Sequence, residues 1–175
     1  MPSISISENE ICKGCMLGKN VKKSFSSSNS RSEDILDLIH SDICGPMSCP
    51  SLSGFLYYVI FIDDFSRKCW IYFLKAKNET LDKFKEFKVS IENQTGKQIK
   101  ILRTDNGGEF ESNQFEDYRK EFGIKRQLTV PYNPQQNGVA ERKNRTICEA
   151  AKAMMFDQDL PNSLWAEATK TVVYI

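Results

Sequence analysis

Residues 55–74 read Phe55-Leu56-Tyr57-Tyr58-Val59-Ile60-Phe61-Ile62, then Asp63-Asp64-Phe65-Ser66, then, after Arg67-Lys68, Cys69-Trp70-Ile71-Tyr72-Phe73-Leu74. β-Branched and aromatic residues crowd both runs, and Asp-Asp-Phe-Ser between them is turn chemistry, so the stretch predicts an antiparallel hairpin. Upstream, residues 34–42 alternate loosely, with Leu36 and Leu38 on one side and Ile35 and Ile39 on the other. That pattern predicts a strand stopping at Gly45-Pro46. Downstream the period changes. Leu81, Phe84, Phe87 and Ile91 fall at helical spacing across residues 78–94, with Gly96 as a stop. A short strand follows at 99–102, a helix at 112–122 closed by Gly123, and a fifth strand at 124–130. After a loop with two prolines come a long helix at 139–156 and another at 163–175. The order βββαβαβαα predicts an α/β domain, a mixed five-stranded sheet flanked by helices.

Composition narrows the function classes. The chain has 175 residues, 40% hydrophobic and 11% aromatic, enough for a real core. Its longest apolar run, residues 55–62, is far short of the ~20 residues that span a bilayer, and residues 1–10, without a cationic stretch or apolar run, are not expected to act as a secretory signal. Six cysteines therefore read as thiols or metal ligands rather than disulfides. With 24 basic and 23 acidic residues the net charge is +1, so any case for nucleic acid must be local. His40 is the single histidine, which excludes multi-histidine metal catalysis. It falls two residues before Asp42 on the first strand and reads as a packed histidine. Trp70 and Trp165 read as core residues. Residues 1–31 are rich in Ser and Lys, with a linker-like run from 24 to 30, and residues 32–175 read as the compact domain.

Three acids stand where catalytic acids are expected. Asp42 lies at the end of the first strand, Asp105 just after the fourth, and Glu141 in the first turn of the long helix, with 35 residues between the last two. Converging carboxylates suit Mg²⁺, and two such ions can activate an attacking oxygen and stabilise a leaving one at a phosphodiester. Spacing alone leaves rivals in Asp63, Asp64 and Glu109, of which the first two read better as turn residues.

The surrounding text is more specific. It runs His40-Ser41-Asp42-Ile43-Cys44-Gly45-Pro46, then Arg103-Thr104-Asp105-Asn106-Gly107-Gly108-Glu109-Phe110, then 131–145 as Pro-Tyr-Asn-Pro-Gln-Gln-Asn-Gly-Val-Ala-Glu-Arg-Lys-Asn-Arg. These blocks resemble the integrase core of copia-type LTR retrotransposons and, more distantly, of retroviruses, over roughly residues 32–175. The resemblance implies a ribonuclease H-like fold, with Asp42, Asp105 and Glu141 as catalytic and metal-binding residues for two Mg²⁺ or Mn²⁺ ions. Asp42 would bridge both ions, Asp105 complete one site and Glu141 the other. The implied reaction joins element DNA 3′ ends to double-stranded target DNA in one in-line displacement, without a covalent enzyme intermediate.

The family also suggests which residues meet DNA. Asn144 and Arg145, at i+3 and i+4 from Glu141, are expected on its helix face against DNA, with Ala140, Ile147, Ala151 and Met154 turned to the core. Lys143 falls toward the core side. Tyr132 is expected to stack on a base or ribose, and Asn137 stands where retroviral relatives often carry Gln. Cys12-Lys13-Gly14-Cys15 matches half of the family's N-terminal zinc site, whose two histidines are absent, so Cys12 and Cys15 would hold Zn²⁺ only if upstream histidines are supplied. Lys19, Lys22 and Lys23 fit a linker that touches phosphates. The chain thus reads as a fragment of a Gag-Pol polyprotein, oligomeric when full-length, made in the cytoplasm or in virus-like particles and acting in the nucleus, with no membrane partner. Two alternatives stay open: a catalytically silent DNA-binding relic or host-adopted fragment, and a ribonuclease H-type nuclease.

Overall fold

The computed structural model describes residues 31–105, 107–128 and 138–174. Residues 31–175 form one compact unit. Its strands are β1 (Leu38–Cys44), β2 (Tyr57–Asp63), β3 (Cys69–Leu74), β4 (Ile101–Thr104) and β5 (Lys125–Leu128). The helices are α1 (Thr80–Thr95), α2 (Asn113–Glu121), α3 (Gly138–Asp157) and α4 (Trp165–Tyr174). The sheet order is β3-β2-β1-β4-β5. The three N-terminal strands are antiparallel, while β4 pairs parallel to β1 and β5 parallel to β4. This is the mixed sheet that the element order implies, with β1 at its centre. Among the described residues no helix is long and apolar enough to cross a membrane.

Alternation along β2 sorts the core into two layers. Val59 and Phe61 face α1 and α2, where Phe61 stacks on Phe87 at 4.4 Å between ring centroids and meets Phe84 at 5.7 Å. Tyr58, Ile60 and Ile62 face α3 and α4, with Ala140, Ile147, Ala151 and Trp165. Trp165 also donates its indole N–H to the Cys49 carbonyl at 3.1 Å. Trp70 is only half-buried and packs on Phe87.

Local chemistry sets the element ends. Ser112 caps α2 by accepting from the Phe115 N–H. Gly96 closes α1 at φ 67°, its N–H returning to the Glu92 carbonyl. Gly45, at φ 127°, ends β1, and a Cβ there would stand 2.7 Å from the Leu56 carbonyl oxygen.

The first strand begins later than its alternation implies. Leu36 adopts φ 64°, which no strand accommodates. Its N–H donates to the Asp63 carboxylate at 2.9 Å, so a side chain 27 positions away holds the turn that precedes β1. On α3 the apolar stripe ends on Met155, and Met154 is exposed, which corrects the expected core face. The stripe 147, 151, 155 advances in steps of four, as a helix packed along a strand requires.

Candidate active site

Asp42 lies on β1 opposite Ile60 of β2, on the side of the sheet that α3 covers. Its Oδ2 accepts from Asn144 Nδ2 at 2.8 Å and its Oδ1 from the Ile43 N–H at 3.0 Å. Burial pushes its carboxyl up from 3.8 to about 6; the charges of Asp105 and Glu141 push the same way, and the bonds from Asn144 and Ile43 oppose. Both other acids are therefore near enough to be felt at Asp42.

Topology explains that proximity. β4 runs parallel to β1 with His40 opposite Arg103. β4 ends at Thr104, so Asp105 is the first residue beyond the strand that lies beside that of Asp42. Asp105 Oδ1 accepts from the Gly107 N–H at 3.0 Å, which tightens the turn after β4. Glu141 stands exposed in the first turn of α3, one turn before Asn144. Among the described residues none of the three acids enters an ion pair. Nor do any three His, Cys, Asp or Glu side chains there close into a single metal-holding group. A shared arrangement does not need one, since Mg²⁺ is commonly held by one or two carboxylates and keeps several waters. The donor chemistry fits such ions: Asp42 is a half-buried carboxylate with no ion-pair partner among the described residues, and the charges of Asp105 and Glu141 act on it.

The rival carboxylates have structural partners. Asp63 accepts from Leu36, and from the Ser66 N–H and hydroxyl at 2.7 and 2.6 Å. Asp64 accepts from the Ser32 N–H at 2.8 Å and meets His40 Nε2 at 2.9 Å and Arg67 at 3.1 Å. Burial pushes His40 below its ordinary value against the pull of Asp64, and the ring is fully buried, a packed histidine. Glu109 meets Lys77 Nζ at 3.5 Å.

Asn144 requires a correction. Expected on an outward face against DNA, it is 6% exposed and bound to Asp42. The helical period already contained this answer, because position 144 lies four after Ala140 and three before Ile147, within the buried stripe. Arg145 is exposed as expected, and Lys143 is half-buried beside Ile62, Val139 and Thr146. Tyr132, Asn137, Cys12, Cys15, Lys19, Lys22, Lys23 and the linker-like run 24–30 lie outside the described residues.

Asn144 thus positions Asp42, and Asn144→Leu is expected to raise the Asp42 pKa above about 6 by removing the bond that opposes protonation. Loss of such a supporting bond should weaken metal-dependent activity ~10–100-fold with the fold intact. A carboxyl-carbon NMR titration of Asp42 checks this, and an unchanged midpoint would exclude the role.

Comparisons with known proteins place these features. A family model described as integrase core domain matches residues 36–134. The retrovirus-related Pol polyprotein from transposon TNT 1-94 of Nicotiana tabacum is 48% identical over 164 residues, covering 94% of this chain. That from transposon RE2 of Arabidopsis thaliana is 37% identical over 166 residues, also covering 94% of this chain. The chain spans only 12% and 11% of the lengths of these two relatives. Among solved structures, a chain of the simian T-cell lymphotropic virus intasome, determined by cryo-electron microscopy with PP2A regulatory subunit B56 gamma, matches with a TM-score of 0.64. At 19% identity, it covers 83% of this chain and 49% of its own length, a likeness of fold.

Proposed function

This chain belongs to the integrase core domain family, and from that membership we propose that it is the catalytic core of a copia-type retrotransposon integrase, joining DNA 3′ ends to double-stranded DNA. Integrase core domains are polynucleotidyl transferases that use divalent metal ions and act on DNA. For this chain the reading assigns the catalytic role to Asp42, Asp105 and Glu141. The observation that carries it is the parallel pairing of β4 beside β1, which brings the strand ending just before Asp105 next to the strand of Asp42, while α3 lays Asn144 on the Asp42 carboxylate. Asp42, Asp105 and Glu141 would hold Mg²⁺ or Mn²⁺, which would supply positive charge against the charge building on the phosphate. Asn144 fixes the orientation of Asp42, and the Gly107 N–H fixes that of Asp105. His40 is buried and tied to Asp64. Double-stranded DNA, self-association and action in the nucleus belong to the same reading.

The test is transfer on a branched duplex that mimics the joined product, with Mg²⁺ or Mn²⁺. By microscopic reversibility the core that joins strands also resolves them, without needing the element's terminal sequence. Release of rejoined target DNA, lost in Glu141→Gln, supports the reading. Cleavage of RNA in a hybrid would mark a ribonuclease H instead, and DNA binding without any product a silent relic.

Arg145 is exposed on α3 one turn after Glu141, and on this reading its guanidinium meets the DNA backbone. Arg145→Ala should change stability by no more than ~0.5 kcal/mol. DNA affinity should fall, and the slope of log affinity against log salt should become shallower by about one. Filter binding across a salt series reads both; an unchanged slope would place DNA on another face.

A further inference from the structure

Cys44 and Cys148 have no role in the proposed chemistry yet face each other, their sulfurs 3.6 Å apart. One is the last residue of β1, and the other lies in the middle of α3, 104 positions later. Both are half-buried rather than sealed in the core. The Tyr58 hydroxyl lies 3.3 Å from the Cys148 sulfur on the same side of the sheet.

The pair belongs to a registered contact. Asn144 meets Asp42, and Cys148 meets Cys44, so the contact advances two residues on the strand and four on the helix. Two strand residues rise ~6.6 Å and four helical residues ~6.0 Å, so α3 runs alongside β1 nearly in step. The elements already hold the two sulfurs together, and closing to the ~2.05 Å of a disulfide needs a shift of ~1.5 Å.

We propose that Cys44 and Cys148 form a redox-modifiable pair, closed by hydrogen peroxide into a disulfide that ties β1 to α3. Cys148 acts first, because its sulfur alone has two neighbours within hydrogen-bonding reach, the Cys44 thiol and the Tyr58 hydroxyl. Its sulfur attacks peroxide, the O–O bond breaks, and the departing hydroxide takes up a proton and leaves as water, giving a sulfenic acid. The Cys44 thiol gives up its proton and attacks that sulfur. The S–O bond breaks, a second water leaves and the S–S bond forms. Two thiols are oxidised by two electrons, and one peroxide is reduced to two waters.

The experiment uses the full chain with Cys12→Ser and Cys15→Ser, which removes the competing vicinal pair. The protein is treated with hydrogen peroxide, alkylated and digested without reductant, then mapped by mass. The expected result is a cross-linked peptide pair containing Cys44 and Cys148, ~2 Da lighter than the sum of its thiols, reversed by dithiothreitol. Adding Cys44→Ser should replace the cross-link by a dimedone-trapped sulfenic acid at Cys148, ~16 Da heavier before trapping. A melting temperature that rises on oxidation of the parent and returns on reduction would show that the bridge joins folded elements. Oxidation at either residue without a cross-link, no oxidation of either, or pairing with Cys49 or Cys69 instead, would overturn the proposal. Because none of these readouts requires strand transfer, their failure is separate from failure of the integrase reading.

Discussion

Asp42→Asn is expected to lower metal-dependent strand transfer more than ~100-fold while making the metal-free protein more stable at pH 7. The two effects share one cause. The folded state raises the Asp42 carboxyl from 3.8 to about 6, first by burial and then by the charges of Asp105 and Glu141. Between those values the folded state binds a proton that the unfolded state has released. This contribution to stability is complete below about pH 4, is lost as pH rises through about 6, and stays lost above. One pKa unit is ~1.4 kcal/mol, and screening at a half-buried site leaves a gain of ~2 kcal/mol for the neutral amide at pH 7. The stability advantage should vanish near pH 4, where wild-type Asp42 is itself neutral. In wild type Mg²⁺ should recover part of the loss by offsetting the same charge, and in the variant it should recover less. Thermal melts from pH 4 to pH 8, with and without Mg²⁺, check all three parts. A variant less stable than wild type across that range would mean that Asp42 acts as a structural acceptor and not as an uncompensated charge.

Phe61→Ala should be the most destabilising single truncation in the core. Phe61 is fully buried at the centre of an aromatic group, stacked on Phe87 and in contact with Phe84 and Tyr72. Removing the ring forfeits its burial and leaves a void that two helix-borne rings cannot close, because α1 is held along its length by Phe84, Phe87 and Ile91. The expected cost is ~3–5 kcal/mol, read from urea unfolding, with a fall in melting temperature of order 10 °C. Phe61→Leu should cost less than half as much, since most of the volume remains. A loss below ~1 kcal/mol for the alanine variant would show that this layer collapses freely. The wild-type β2–α1 packing would then not be the rigid support that holds β1, and with it Asp42, in place.

The hairpin of β2 and β3 and the helix α1 were legible in the chain itself. β-Branched and aromatic runs, an Asp-Asp-Phe-Ser turn and a Leu81–Phe84–Phe87–Ile91 period are signals that neighbouring residues carry without help. Ser112 at a helix start and glycines at positions 45 and 96 are of the same local kind. The identity of the candidate acids was legible too, since motif text and the 35-residue interval need no coordinates. Three-dimensional contacts decided the rest. The alternation at 34–37 reads as strand, but the Asp63 carboxylate fixes Leu36 in a turn, and no local pattern announces an acceptor 27 positions away. The helical period puts Asn144 on the buried stripe of α3, but no local pattern says what partner a polar side chain finds there. It is buried because its amide has one particular partner, Asp42, 102 positions earlier. Cys44 and Cys148 each read as ordinary thiols and become a pair only when α3 lies in step with β1. Periodicity reports which residues share a face, a property of the backbone over a few turns. Which partner a polar atom finds on that face depends on how distant elements pack, and that is set by the whole core at once.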